Sequence, residues 1–120
     1  MTLNPELLYG IYELQKIEST VDGKITPEHA KSGMFVFTRE NRLSVVSGSN
    51  EWVMAYTGTF EIKEDTLFIK TESCVVREQE CMTITRKILK LDGENLMLES
   101  KRGSNPKDFT QLTWKKKISL

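Results

Sequence analysis

The chain is poor in the residues that carry most metal, redox and nucleophilic chemistry. Its 120 residues include one histidine, His29, and two cysteines, Cys74 and Cys81. No Cys-x-x-Cys spacing exists, and a single histidine cannot complete a zinc set with two cysteines. A disulfide is geometrically possible if the two lie on neighbouring strands, but two buried thiols are the expectation for a cytosolic chain. Neither sign of charge dominates: 17 Lys+Arg stand against 17 Asp+Glu. A nucleic-acid binder normally carries a basic excess to neutralise phosphates, so no nucleic-acid partner is expected. No stretch approaches the ~20 apolar residues needed to span a bilayer, so stable membrane insertion is not expected. Met1-Thr2-Leu3-Asn4-Pro5-Glu6 shows no basic region followed by an apolar run. It therefore reads as lacking a signal peptide, which makes the cytoplasm the expected location. Gly-x-Ser-x-Gly, a phosphate-binding Gly-x-x-x-x-Gly-Lys loop, Gly-x-Gly-x-x-Gly and His-Glu-x-x-His are all missing, and no cofactor or metal is expected.

The length fits one domain over residues 1–120. Hydrophobic residues make up 38%, enough for a core if they share one side of regular elements. Charge is distributed unevenly: residues 101–120 hold 6 basic residues and 1 acidic. Lys115-Lys116-Lys117 is either a patch for an anionic partner or a solubilising run on a terminal strand.

The opening reads as one helical turn. Asn4 is a good N-cap, Pro5 suits the first helical position, Glu6 favours the positive end and Gly10 can end the turn. Strand-like segments follow at about 9–19, 33–38, 42–48, 52–62, 66–76, 80–91, 95–101 and 109–118. Short polar breaks separate them, among them Arg39-Glu40-Asn41, Lys63-Glu64-Asp65, Arg77-Glu78-Gln79 and Asp92-Gly93-Glu94, as hairpin connections require. The long connection, 20–32, contains Thr26-Pro27, an N-cap and first-turn proline that suggest a short helix. No window has a convincing helical period. Many short strands joined by tight turns imply an antiparallel meander, closed as a barrel or folded as a sandwich.

Alternation assigns the faces. Tyr56, Phe60 and Ile62 face inward with Gly58, which lets a closing sheet bend. A four-residue loop pairs Leu91 with Leu96 and Leu89 with Leu98, placing those four leucines on one face. Leu112 and Trp114 point inward on the last strand, Tyr12 and Leu14 on the first. The same phase carries Lys87, Thr85 and Thr83 inward, and Leu67 and Ile69 continue to Thr71 and Ser73. The inner face is then apolar at one end and polar at the other, as a cavity for an amphipathic ligand would be. A bulge near Glu80 gives the opposite phase, with Met82, Ile84, Arg86 and Ile88 inside and Lys87 in water. A basic group faces the interior in either phase, and Glu72 or Glu99 is a possible structural partner for it.

These residues together resemble the bacterial lipocalin-like domain family of the calycin superfamily. The resemblance rests on the turn Asn4–Tyr9 before Gly10-Ile11-Tyr12, on Gly33, and on Tyr56-Thr57-Gly58-Thr59-Phe60-Glu61-Ile62. Leu91-Asp92-Gly93-Glu94-Asn95-Leu96 and the terminal Leu112-Thr113-Trp114 complete it. It implies an eight-stranded up-and-down antiparallel barrel with a cavity for a small, mainly hydrophobic molecule. In this chain Tyr12 stands where lipocalins carry the Trp of Gly-x-Trp, and its hydroxyl needs a partner at the closed end.

The expected function is non-covalent binding of a small hydrophobic or amphipathic ligand. Tyr12, Phe37, Tyr56, Phe60, Leu89, Leu98 and Trp114 would form the contact surface, and Lys87, Thr85 and Thr71 would orient a polar head. One alternative is a cofactor-independent cyclase or isomerase in the same cavity, in which a protonated Lys87 near Tyr12 or Tyr56 polarises a carbonyl or enol. The other is an interaction module with a filled core. Trp52 would then face a protein partner, where a ligand-binding barrel would use it to cover its mouth. His29 reads as a surface residue or a gate, and the carboxylates at Glu64-Asp65 and Glu78/Glu80 as solvated turn residues.

Overall fold

The computed structural model describes residues 3–28, 32–48, 53–75, 82–101 and 107–120. A 3-10 turn, Pro5–Leu7, opens the chain, with the Asn4 side chain capping the amide of Glu6 at 3.1 Å. Nine strands follow among the described residues: β1 (Gly10–Val21), β2 (Lys24–Glu28), β3 (Ser32–Phe37), β4 (Arg42–Gly48), β5 (Val53–Lys63), β6 (Thr66–Cys74), β7 (Thr83–Leu91), β8 (Asn95–Lys101) and β9 (Phe109–Ser119). All pairings are antiparallel. Strands β1 and β3 to β9 pair in sequence order, and β9 returns to β1, so eight strands close an up-and-down barrel.

The ninth strand replaces the helix expected near Thr26-Pro27. β2 folds back on the second half of β1, from Val21↔Lys24 to Ile17↔Glu28. The cause is the turn at Asp22 (φ 52°) and Gly23 (φ 75°). Two successive left-handed residues match the twist of a two-residue hairpin, and Asp-Gly is among the pairs that adopt them most readily. Pro27, read as a helix start, instead lies in an edge strand, where a missing N–H breaks no central ladder.

Inward residues follow the expected alternation on most strands. Leu43, Val45 and Ser47 on β4, Tyr56, Gly58 and Phe60 on β5, and Leu67, Ile69 and Thr71 on β6 are all buried. Gly58 sits at a register shift between β5 and β6. A Cβ there would lie 2.0 Å from the carbonyl oxygen of Lys70, so the two strands approach closely only because this position has no side chain.

One end of the barrel is filled. Phe35 and Phe37 stack at 4.2 Å, and Phe37 meets Tyr12 and Phe60 edge-on at 5.9 and 5.3 Å. Trp114 meets Phe35 edge-on at 5.3 Å. Leu8, fully buried, follows the 3-10 turn into this cluster. The carbonyl of Leu7 accepts from the Tyr12 hydroxyl at 3.1 Å and from Lys116 Nζ at 2.8 Å. The turn therefore plugs this end, and the Tyr12 hydroxyl has its partner. Of the three successive lysines, Lys116 is the half-buried one, its ammonium 5.4 Å from the Tyr12 ring centre.

Candidate functional site

Register corrects the expected phase of β7. The β7–β8 ladder runs Leu91↔Leu96, Lys90↔Met97, Ile88↔Leu98 and Lys87↔Glu99, with a shift between Ile88 and Lys90. Leu89 is the extra residue of that bulge. It is 38% exposed and does not pair with Leu98, so it is not part of the leucine face. The bulge exchanges the faces of everything before it. Ile84 and Ile88 are buried and Arg86 is half-buried, whereas Thr85 and Lys87 are exposed. Lys87 and Thr85 are therefore corrected from the interior to the outer wall, and Arg86 is the basic residue on the inner face. Met82, expected inside in that phase, is exposed.

The inner wall is layered along the strand direction. At the plugged end Leu96, Trp114 and Leu14 lie side by side across β8, β9 and β1. Toward the far end the next row is Ile88, Leu98, Leu112 and Ile17. The row after that changes character: Ser100 pairs with Thr110, Thr110 pairs with Ser19, and Arg86 lies on β7 one step beyond the Lys87↔Glu99 pair. The Ser19 and Thr110 hydroxyls are 3.2 Å apart. A polar row of one guanidinium and three hydroxyls thus borders an apolar row of four aliphatic side chains.

Arg86 is the least expected member. Its Nη1 donates to the carbonyl of Thr85 at 2.9 Å. Among the described residues no carboxylate forms an ion pair with it; the pairs found are Lys16–Glu18, Arg39–Glu6, Arg42–Glu72, Lys63–Glu61 and Lys90–Asp92. Glu72, one expected partner, is held by Arg42. A half-buried cation without a counter-ion retains part of its desolvation cost, which an anion would offset. Tyr56 is buried, and burial pushes its phenol above the ordinary value while the charge of Arg86 pulls it back.

The remaining predicted contacts divide between these two environments. Tyr12, Phe37, Phe60, Leu98 and Trp114 are buried and pack into the core cluster. Trp114 is 1% exposed, and its Nε1 finds no acceptor among the described residues. Thr71 is buried and its hydroxyl is used locally, donating to the carbonyl of Met82 at 3.3 Å and accepting from its amide at 3.1 Å. Tyr56 is the predicted contact whose phenol feels the charge of Arg86. Sequence reasoning did not single out Ser19, Ser100 and Thr110. Extending the alternation from Leu98 to Ser100 and from Leu112 to Thr110 finds two of them. Ser19 is hidden by a register shift between Leu14 and Lys16 that moves β1 into the opposite phase. His29, Trp52, Glu78, Glu80 and Cys81 lie outside the described residues, and Cys74 is half-buried against the core. Among the described residues no three His, Cys, Asp or Glu side chains come together as a metal site, and no helix is long and apolar enough to cross a membrane.

No protein-family model matches the chain, and no curated protein matches it. Solved structures do. The crystal structure of an uncharacterized protein from Bacteroides eggerthii aligns with a TM-score of 0.58 at 14% identity, over 91% of this chain and 98% of that one. A redesigned β-barrel aligns with a TM-score of 0.55 at 15% identity, over 98% of this chain and 97% of that one. The fold is a β-barrel, and the likeness to each of these structures runs over nine-tenths or more of both chains. At such identities the likeness concerns architecture, since function lies in side chains that each barrel chooses separately.

Proposed function

We propose that this barrel is a lipocalin-like carrier that binds a small amphipathic ligand non-covalently in its far half. The carrying observation is the layered inner wall, with Arg86 unpaired by any described carboxylate beside Ser100, Thr110 and Ser19, next to the aliphatic row Ile88, Leu98, Leu112 and Ile17. A mostly apolar lining with a few convergent polar groups is what small-molecule sites have in common. The ligand's anionic head belongs at Arg86, and its apolar body beside Leu112, the half-buried member of the aliphatic row; Ile17, Ile88 and Leu98 keep their core contacts. A guanidinium suits a carboxylate or phosphate, since its planar fork of donors fits two oxygens at once. The reading also draws on the family resemblance of the Gly10-Ile11-Tyr12, Gly58 and Leu112-Thr113-Trp114 motifs.

Trp114 tests it. In a Trp52→Phe chain Trp114 is the sole indole, two positions along β9 from Leu112 of the aliphatic row. Titration with dodecanoate below its critical micelle concentration should give a saturable change in Trp114 emission with one-to-one stoichiometry. No saturable change with dodecanoate, dodecyl sulfate or a hydrophobic dye would overturn the proposal.

A further inference from the structure

The β7–β8 ladder ends early. Its last pair is Lys87↔Glu99, although β7 reaches back to Thr83 and β8 runs on to Lys101. Where neighbouring strands part, main-chain groups lose their ladder partners and need others. Arg86 supplies one by donating to the Thr85 carbonyl. At the same place lies a depression of about 470 Å3. Its border holds three cations, Arg86, Lys87 and Lys101, two carboxylates, Asp65 and Glu99, and no aliphatic or aromatic side chain. Most small-molecule sites are largely apolar. This border offers nothing to a hydrocarbon chain or a flat base, so what fits it is polar throughout.

The charges there are not matched one to one. Glu99 faces Lys87 across the ladder, where opposite charges attract. Asp65 accepts from the Thr66 hydroxyl at 3.1 Å. Arg86 and Lys101 form no ion pair with a described carboxylate. Three cations less two carboxylates leave the border one net positive charge. Arg86 is also half-buried, so an anion against it offsets part of its desolvation cost. The rest of the border suits hydroxyl groups. Ionised Asp65 and Glu99 only accept hydrogen bonds, while Thr66, Thr85 and Ser100 both donate and accept. The depression is roomy enough to hold such groups around a bare oxyanion.

We infer that the depression where β7 and β8 part is a second site, for a small phosphorylated polyol. The phosphate lies against Arg86 and Lys101, a planar fork of donors backed by a point charge. The polyol hydroxyls donate to Glu99 and Asp65. This inference stands apart from the carrier reading, because its ligand has no apolar body and neither reading needs the other. The two share Arg86, so one ligand excludes the other.

Calorimetric titration at low ionic strength with glucose 6-phosphate and glycerol 3-phosphate tests this, against glucose and inorganic phosphate as partial ligands. At least one phosphorylated polyol should bind saturably with one-to-one stoichiometry. Glucose should bind at least about tenfold more weakly than the tighter of the two, through loss of the charge-assisted hydrogen bonds. Inorganic phosphate keeps the charge and loses the hydroxyl contacts, so it should bind about two- to tenfold more weakly. Arg86→Met should weaken the phosphorylated polyol about tenfold or more. Lys101→Gln should weaken it about two- to fivefold, the contribution of one exposed ion pair. Lys101 is exposed, so this variant keeps the test open should Arg86→Met fail to fold. No saturable binding of either phosphorylated polyol overturns the inference, as does glucose or inorganic phosphate bound equally tightly. An affinity untouched in Lys101→Gln and in a folded Arg86→Met overturns it too.

Discussion

Replacing Arg86 by methionine separates a ligand anchor from a structural cation. Methionine keeps most of the aliphatic length of arginine and removes the charge. Arg86 makes one described hydrogen bond, to the Thr85 carbonyl, and no described ion pair. Thr85 is exposed, so water can take over that carbonyl. Arg86 is half-buried, so its replacement relieves part of a desolvation cost while giving up one hydrogen bond, each on the order of 1 kcal/mol. Urea and thermal unfolding of Arg86→Met should therefore match or slightly exceed the unmodified chain, with a gain of up to about 1 kcal/mol or roughly 4 °C in Tm. Ligand affinity should move the other way. A charge-assisted hydrogen bond contributes ~1.5–3 kcal/mol, so dodecanoate should bind about 10- to 150-fold more weakly. Arg86→Lys, which keeps the charge but not the planar fork, should fall between. This opposition, stability kept while binding is lost, is the pattern expected when a side chain is retained for function. If Arg86→Met lost 2 kcal/mol or more of stability, or bound dodecanoate unchanged, the assignment of Arg86 as the anchor would be refuted.

The bulge at Leu89 predicts a sharp contrast between neighbours: Ile88→Ala should cost about 2–4 kcal/mol and Leu89→Ala about 0–1 by urea unfolding, and similar costs for the two would contradict the register. At Gly58, alanine should cost at least about 2 kcal/mol, because its Cβ would lie 2.0 Å from the Lys70 carbonyl oxygen and β5 must separate from β6; wild-type stability would show that the close approach is unnecessary. Asp92 accepts the amides of Glu94 and Asn95 at 3.0 and 2.7 Å, which lowers its carboxyl from 3.8 to about 2. Because the folded value lies below the unfolded one, this stabilisation is present above pH 4 and fades as pH falls toward 2; an Asp92→Asn chain should show a shallower acid loss across that window, measured by circular dichroism. Tyr12 and Tyr56 are both shifted upward by burial, so the folded state keeps them protonated while unfolded phenols ionise near 10.0. Stability should decline above that pH, with phenolate absorbance from these two tyrosines appearing together with unfolding; phenolate appearing in a fully folded chain would count against their burial.

Legibility in the sequence depended on how local the controlling signal is. The 3-10 turn was readable from Asn4, Pro5 and Glu6 because a cap acts within three residues. The strands were readable because a period of two needs only one strand. Gly58 was readable as a bend because the residues around it alternate so cleanly. β2 was missed because Thr26-Pro27 was read as a helix start and the Asp22-Gly23 turn was not read at all; pairing along five residues of β1 outweighs one capping interaction. The face of Lys87 was not local at all. It follows from where an extra residue is absorbed between β7 and β8, and alternation within β7 is equally regular in either phase.

That one residue also determines which basic side chain the barrel contains. With Leu89 in the ladder, Leu98 would face Leu89, and Lys87 and Thr85 would line the interior. With Leu89 bulged out, Leu98 faces Ile88, and Arg86 takes the inner position. Both phases bury an aliphatic residue next to Leu98, so hydrophobic burial discriminates weakly between them. Polar terms discriminate more strongly. An inward Lys87 would be a compact, strongly hydrated ammonium with no main-chain acceptor of its own, whereas Arg86 spreads its charge and reaches the Thr85 carbonyl exposed where the ladder stops. The parting of β7 and β8 and the inward Arg86 are thus linked: the gap frees a carbonyl, and the guanidinium is the side chain able to use it while leaving its remaining donors for an anion.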